Sequence, residues 1–498
     1  MINDQGGGTR PFVLAYNAAM RKLLVFLWLV LEIHSSHAQE QIGIAHSNYA
    51  GTDAVAFNPA RMAGQWPYMD IRFVGADVFA WNNLVALSGN DRSLFGEIRN
   101  GIQGTPNNAL TVRESLSRSN KKALVNLGVE APAITLSLGR GTIGVGLRSR
   151  SFVSITDVSP ELGRFIYNGL GFEPQRNVRY DEGGPRVLAS AWSEAALSYA
   201  HIVRAQGFGM LSVGATARYM MGHGGAALAL HEFGYTLSDP SRLEVHAVSG
   251  AYGLAMPGPN VGRGFGGDLG VVYERTIDEA DGYMPHRSAR GCTPLPYRYR
   301  IGLSVLDLGG IRYQDAVAGS FSTGAIVIPD HNEVAVNGQE DLDSLFSTVT
   351  THEPASDLRI GSPTAIALQY DQRIQHQVYV ALAAVQQVSS PTGFRLRRTN
   401  QISITPRFES RYVEVALPVV VREYDLRRPG LGFMLRSHSI IIGTDNILPL
   451  VGKRDVYSAD VYFRIKWTFF RGPFCKGKRP GKARVAPGGR EAIPCAQP

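Results

Sequence analysis

With 498 residues, the chain has room for one large barrel or roughly two to three soluble domains. Gly stands at 55 residues, charged residues at only 18% and aromatics at 9%, a balance that suits many strands and turns and speaks against a helical enzyme. The net charge of +8 is no nucleic-acid signal, because +6 of it falls in Arg471–Pro498 and the body from Gln39 to Phe470 stands near +1.

The chain opens on a leader. Met20-Arg21-Lys22 precedes the apolar run Leu23–Leu31, and Ser36-His37-Ala38 follows as a small-x-small site. This predicts a secretory signal within residues 1–38, with the start at Met20 and cleavage before Gln39. The run is too short to span a bilayer, and no later run approaches the ~18 apolar residues of a membrane helix. Without a spanning helix, a membrane protein must be a closed barrel.

Residues 39–66 show little alternation. Asn58-Pro59-Ala60 opens NPARMAG, which reads as a turn into a short helix, with Pro at a favoured first position. From residue 67 the period becomes two. Tyr68–Ala80 and Leu84–Ser88 predict a first hairpin around Trp81-Asn82-Asn83, and Asp91–Leu127 reads as a polar, partly helical insert. Ile134–Leu138 and Ile143–Ser149 flank Gly139-Arg140-Gly141, a short hairpin connection. Further alternating runs follow at Arg186–Val203, Leu211–Tyr219, Leu243–Leu254, Gly266–Tyr273, Tyr297–Val305, Thr364–Tyr370, Val378–Val388, Gln401–Thr405, Tyr412–Val421, Leu431–Ser437 and Ile440–Gly443. Less regular inserts lie at Pro160–Arg179, Thr276–Pro296 and Asp330–Arg359. They read as loops or inward-folded plugs.

The last run, Val456–Phe470, is the most regular. Tyr457, Ala459, Val461, Phe463, Ile465, Trp467 and Phe469 alternate with Ser458, Asp460, Arg464, Lys466 and Thr468. It exceeds the roughly 9–11 residues a tilted strand needs to cross a bilayer, and aromatics sit near both ends of its apolar face. Asp460, Arg464 and Lys466 are therefore expected to face a lumen. Counting runs predicts an all-β fold: a transmembrane antiparallel barrel of about 14 strands over residues 67–470, with residues 39–66 as an N-terminal plug segment. The basic remainder, residues 471–498, is expected to be unstructured.

Other motifs read as bland. Gly262, Gly264 and Gly267 match GxGxxG, but Pro257-Gly258-Pro259 precedes and the strand-like Leu269–Tyr273 follows, so a bent strand fits better than a dinucleotide loop. His231-Glu232 lacks the second histidine of a zinc protease, and Glu333, Glu340, Asp341 and Asp343 lack calcium-loop spacing. Cys292, Cys475 and Cys495 lack CxxC spacing and read as isolated thiols with at most one tail disulfide. No nucleophile elbow is present. No enzyme, cofactor, metal or nucleic acid is expected.

The closing run resembles the last strand of bacterial outer-membrane barrels, which implies recognition by their insertion machinery. Asn58-Pro59-Ala60 resembles the NPA element of fatty-acid-transporter-like (FadL-like) barrels, where the preceding segment forms a hatch in the lumen. A wider set is similar to Bacteroidota-type outer-membrane barrels of unknown function: NYAGTDAVAFNPA (Asn48–Ala60), GGDLGVVYE (Gly266–Glu274), IGLSVLDLGGIRY (Ile301–Tyr313), GSPTAIALQYD (Gly361–Asp371), TPRFESRYVEVALP (Thr405–Pro418), GTDNILPL (Gly443–Leu450) and SADVYF (Ser458–Phe463). The resemblance implies an outer-membrane address, lipid around the barrel and no reaction. The expected function is passive transport or capture of a small hydrophobic molecule. The alternative is a non-transporting scaffold for a secretion, motility or surface-attachment complex.

Overall fold

The computed structural model describes residues 41–88, 111–168, 172–238, 242–328, 351–355, 357–388, 393–451 and 456–475. The expected leader within residues 1–38, the acidic cluster at residues 333–343 and the chain from Lys476 onward lie outside the described residues.

Fourteen antiparallel staves close into one barrel. They are β1 (Met69–Asn82), β2 (Lys121–Leu138), β3 (Gly141–Val158), β4 (Arg186–Gln206) and β5 (Gly209–Leu237). Next come β6 in two segments (Leu243–Ala255, Gly262–Thr276), β7 in three (Tyr297–Tyr313, Val317–Thr323, Ile326–Ile328) and β8 in three (Thr351–Ala355, Leu358–Gly361, Ala365–Arg373). The last are β9 (Val378–Gln387), β10 (Gln401–Glu409), β11 (Val413–Ala416, Val419–Arg422), β12 (Gly430–Leu431, Phe433–Ser437), β13 (Ile440–Thr444) and β14 (Ser458–Phe469). Closure is a direct ladder between last and first strands, from Met69 opposite Phe469 to Trp81 opposite Ser458.

Side chains sort by face. Along β14, Ser458, Asp460, Tyr462, Arg464 and Lys466 are buried, while Val461 (40% exposed) and Trp467 (56%) face out. On β13 beside it, Ile442 is 52% exposed, and Ile402, Ile404, Leu368, Leu382, Leu303 and Val145 continue the outward apolar belt. Apolar surface on this scale is suited to lipid, and its alternation with buried polar groups is that of a membrane barrel.

Connections are unequal at the two ends. At one end, described turns such as Gly139-Arg140, Gly207-Phe208 and His438-Ser439 hold two residues; at the other, residues 83–120 and 159–185 join strands. The second of these carries the helix Pro160–Asn168.

Three expectations need correction. Val85–Ser88 does not pair with β1; it pairs with Thr111–Glu114 in a small separate sheet, and β1 takes β2 as its partner. The stretch taken as a polar insert up to Leu127 is strand from Lys121, with Leu124, Asn126 and Glu130 inward. Asn126 reads as loop polarity in sequence, but a barrel puts polar residues on its inner face. The C-terminal tail, expected to be unstructured from Arg471, is folded to Cys475 in a short 3-10 turn, and Cys475 is disulfide-bonded to Cys292.

The glycine run belongs to β6. Gly266 lies opposite Gly309, whose φ is +111°, and a Cβ on Gly264 would lie 2.1 Å from the Gly310 carbonyl oxygen. Here the glycines permit close strand pairing at a bulge. His231 and Glu232 sit exposed at another bulge, in β5.

Candidate functional site: the lumen and its N-terminal insert

Before entering β1, the chain runs inside the barrel. Ile42–Ala45 forms one helical turn, and Gly51–Ala56 and Pro59–Met62 form 3-10 turns. Asn58 is extended at φ −160°, its Oδ1 caps Ala60 N–H at 3.0 Å, and Pro59 follows at the first helical position. Asn58 and Ala60 are fully buried, and Pro59 is buried between them. The Asn58 amide also donates to the carbonyls of Val271 on β6 and Leu303 on β7, at 3.3 Å each.

The wall is hollowed to receive this turn. A Cβ on Gly214 of β5 would lie 2.5 Å from Ala60 N, and one on Gly270 of β6 would lie 2.1 Å from Asn58 Oδ1. Gly43 is seated likewise, 2.4 Å from Tyr462 Oη by the same construction.

The closing strand supplies cations. Lys466 Nζ donates to the carbonyls of Ala50 (2.6 Å) and Tyr49 (2.9 Å) and pairs with Asp53 at 3.3 Å and Asp70 at 3.4 Å. Arg464 reaches Asp77 at 2.9 Å, Glu130 at 3.0 Å and Asp53 at 3.5 Å, while Arg72 pairs with Asp53 at 3.2 Å. Burial alone would raise the Asp53 pKa, but Lys466, Arg72 and Arg464 outweigh it and hold the carboxyl below its usual range. Asp460 acts one step removed. It accepts from Arg422 (3.1 Å), Thr444 (2.7 Å) and Asp445 N–H (2.6 Å), and the Asp445 carboxylate takes the N–H groups of Ile42 and Gly43.

Strands β7, β10 and β11 hold the turn before Gly51. Asn48 N–H donates to Glu409 (2.8 Å), Ser47 Oγ to Glu414 (2.6 Å), and Arg300 to Asn48 Oδ1 (2.8 Å). Arg61 braces the insert from within, donating to the carbonyls of Ala45, His46 and Ser47. Burial lowers the Arg61 pKa to about 9. Burial, with Arg61 nearby, lowers that of His46 to about 3, so His46 is neutral here.

Residues 59–445 match a family of unknown function, DUF5723. The chain belongs to that family. No curated protein matches the sequence. Among solved structures, a deletion mutant of the monoaromatic hydrocarbon channel TodX aligns with TM-score 0.43 at 10% identity, over 87% of this chain and 99% of that one. The Ralstonia pickettii toluene transporter TbuX aligns with TM-score 0.38 at 11% identity, over 84% and 94%. The Pseudomonas putida toluene transporter TodX does so with TM-score 0.30 at 9% identity, over 87% and 93%. These are FadL-like barrels, and likeness at this level says nothing of substrate.

In this DUF5723 member, a second charge layer crosses the lumen. Asp307 of β7 receives Arg150 (2.7 Å), Arg218 (3.0 Å) and Arg398, Asp268 receives Arg218, and Glu194 receives Arg148. Beyond it the lining turns apolar, with Phe152, Trp192, Met220, Ile311, Tyr313 and Ile360 in one cluster. Arg150 marks the boundary, lying over the Phe152 ring at 4.8 Å. Between insert and wall is a cavity of about 60 Å³ touched by Thr52, Val55, Arg72, Glu130, Arg148 and Arg218, room for a few waters. Among the described residues no His, Cys, Asp and Glu cluster is arranged to hold a metal.

Sequence reading singled out the cations of β14 but missed the acids that meet them, Asp53, Asp70, Asp77 and Glu130, and missed Glu194 and Asp307 of the second layer. A usable signal was present, since Asp70 and Asp77 are lone acids inside the alternating run Tyr68–Ala80. On a membrane strand such a residue must point inward.

Proposed function

We propose that the protein is an outer-membrane barrel that passes or captures a small hydrophobic molecule, with residues 41–64 as a plug that shifts to admit it. The supporting observation is the hollowing of the wall around a separate insert. A lumen that needed only filling would be filled by larger side chains at Gly214 and Gly270. Glycine there makes room for a segment held mainly by side-chain bonds, which can leave without breaking the strand ladder. The apolar lining around Trp192 and Tyr313 supplies the kind of wall that hydrophobic ligands require. The outward belt, with short turns at one end and long connections at the other, supports an outer-membrane address with the short turns toward the periplasm. In this reading the partners are outer-membrane lipid, the insertion machinery acting on β14 and the hydrophobic solute. The role is that of a channel, not an enzyme.

The test compares the full chain with one lacking Ile42–Gly64, each first shown to migrate as a compact, heat-modifiable band. Small-solute conductance in planar bilayers, and influx of N-phenyl-1-naphthylamine into proteoliposomes, should both rise several-fold on deletion. Unchanged values with an intact barrel would overturn the reading in favour of a scaffold.

A further inference from the structure

One connection at the short-turn end is out of scale. Its neighbours there hold two to four residues, whereas β6 and β7 are joined by residues 277–296. This connection folds beneath the insert. Ala280 N–H donates to Gly207 O at 2.6 Å, and Gly207 N–H returns a bond to the Asp281 carboxylate at 3.1 Å. Tyr283 is buried among Met62, Ala63 and Met210, with its hydroxyl accepting from Leu295 N–H. His286 lies edge-on to Tyr68, ring centroids 5.4 Å apart, and against the backbone of Trp66 and Pro67, where the insert becomes β1. The segment after β14 completes the band. Gly472 lies so close to Tyr68 that a Cβ would come within 2.8 Å of its ring, and Cys475 is bonded to Cys292.

The barrel does not need this bond to close, because the β14–β1 ladder already runs from Met69 to Trp81. What the bond fastens is the strap, and the strap lies across the root of the insert. We propose that Cys292–Cys475 is a thiol–disulfide exchange site, a latch on the insert that a dithiol partner of the exported compartment opens and a partner disulfide closes by the reverse exchange. Such compartments sustain disulfides. Cys475 is fully buried and Cys292 only partly, so the bond is approached from Cys292. A partner thiolate attacks Cys292 Sγ, the S–S bond breaks, and Cys475 leaves as a thiolate that takes up a proton. The partner's second thiol then resolves the mixed disulfide. Two electrons and two protons pass to the pair, and the partner ends as its own disulfide. This inference rests on the seating of the insert and stands whether or not the lumen transports.

The test uses the full chain with Cys495→Ser, folded and oxidised in vesicles, then treated with dithiothreitol. Maleimide labelling should report both Cys292 and Cys475. Hydrogen exchange should rise by about tenfold in residues 277–296 and 42–64, with β2 to β5 unchanged. Cys292→Ser should show the same pattern; if that variant fails to give the compact band, reduction of the already folded protein decides alone. Labelling of both thiols with exchange unchanged in both segments would overturn the latch. Resistance of the folded protein's bond to dithiothreitol would overturn the exchange site.

Discussion

Asp53 is the residue on which the insert and the closing strand meet. It faces Lys466, Arg72 and Arg464, each within 3.5 Å. Removing one partner of a buried ion pair typically costs about 3–5 kcal/mol, because the other charge is left without compensation. Here Asp70, Asp77 and Glu130 remain to share the three cations, so Asp53→Asn should fall at the lower end, about 3 kcal/mol. The loss should appear in the seating of residues 42–64, measured by denaturant titration with Trp66 fluorescence, while the barrel transition stays in place. A change below about 0.5 kcal/mol, the scale of surface substitutions, would mean that the insert is held by shape alone. At this scale the sequence was half legible. Arg464 and Lys466 stood out because their strand alternates without interruption. Asp53 sits in a 3-10 turn, where no period marks which way a side chain points.

At the scale of elements, the glycines decide what fits inside. Gly214 pairs with Ala200 and Gly270, so its backbone is fixed by two ladders while its missing side chain leaves the space that Pro59 and Ala60 occupy. Gly214→Leu should keep the ladder and displace the turn, at roughly the 1–3 kcal/mol of an overpacked core. Hydrogen exchange in residues 42–64 should rise in that variant and stay unchanged in Gly183→Ala, where the added carbon meets nothing within 4 Å. Equal protection in Gly214→Leu and the parent chain would show that the turn does not depend on this socket. Strand existence was legible from alternation, whereas strand length was not. In β5 the inward set is Ser212, Thr216, Arg218 and Met220, then Ala227 and Ala229, because a register shift against Trp192 moves the parity. In β7 the left-handed Asp307, φ 51°, does the same between Ser304 and Ile311. A bulge reverses the period of two, so a pattern read across it cancels.

For the whole molecule, the belt, the lumen and the short-turn end are separable in what holds them. The belt is set by outward side chains, and barrel closure is set by the β14–β1 ladder, which ends at Phe469. The strap is set by Cys475, which lies six residues further on. Composition gave no hint of that division. Residues 471–498 read as one basic stretch, and Cys292 and Cys475 are 183 positions apart, beyond any spacing rule. Two truncations separate the parts. A chain ending at Cys475 retains Gly472 against Tyr68 and the bond to Cys292, so it should give both the compact band and full protection of residues 277–296. A chain ending at Phe470 keeps every rung of the closing ladder and should also give the compact band. It loses the bond and the Gly472 contact, so residues 277–296 should exchange faster while β2 to β5 do not. Loss of the compact band in the shorter chain alone would show that the strap takes part in closing the barrel, and the division between ladder and strap would fall.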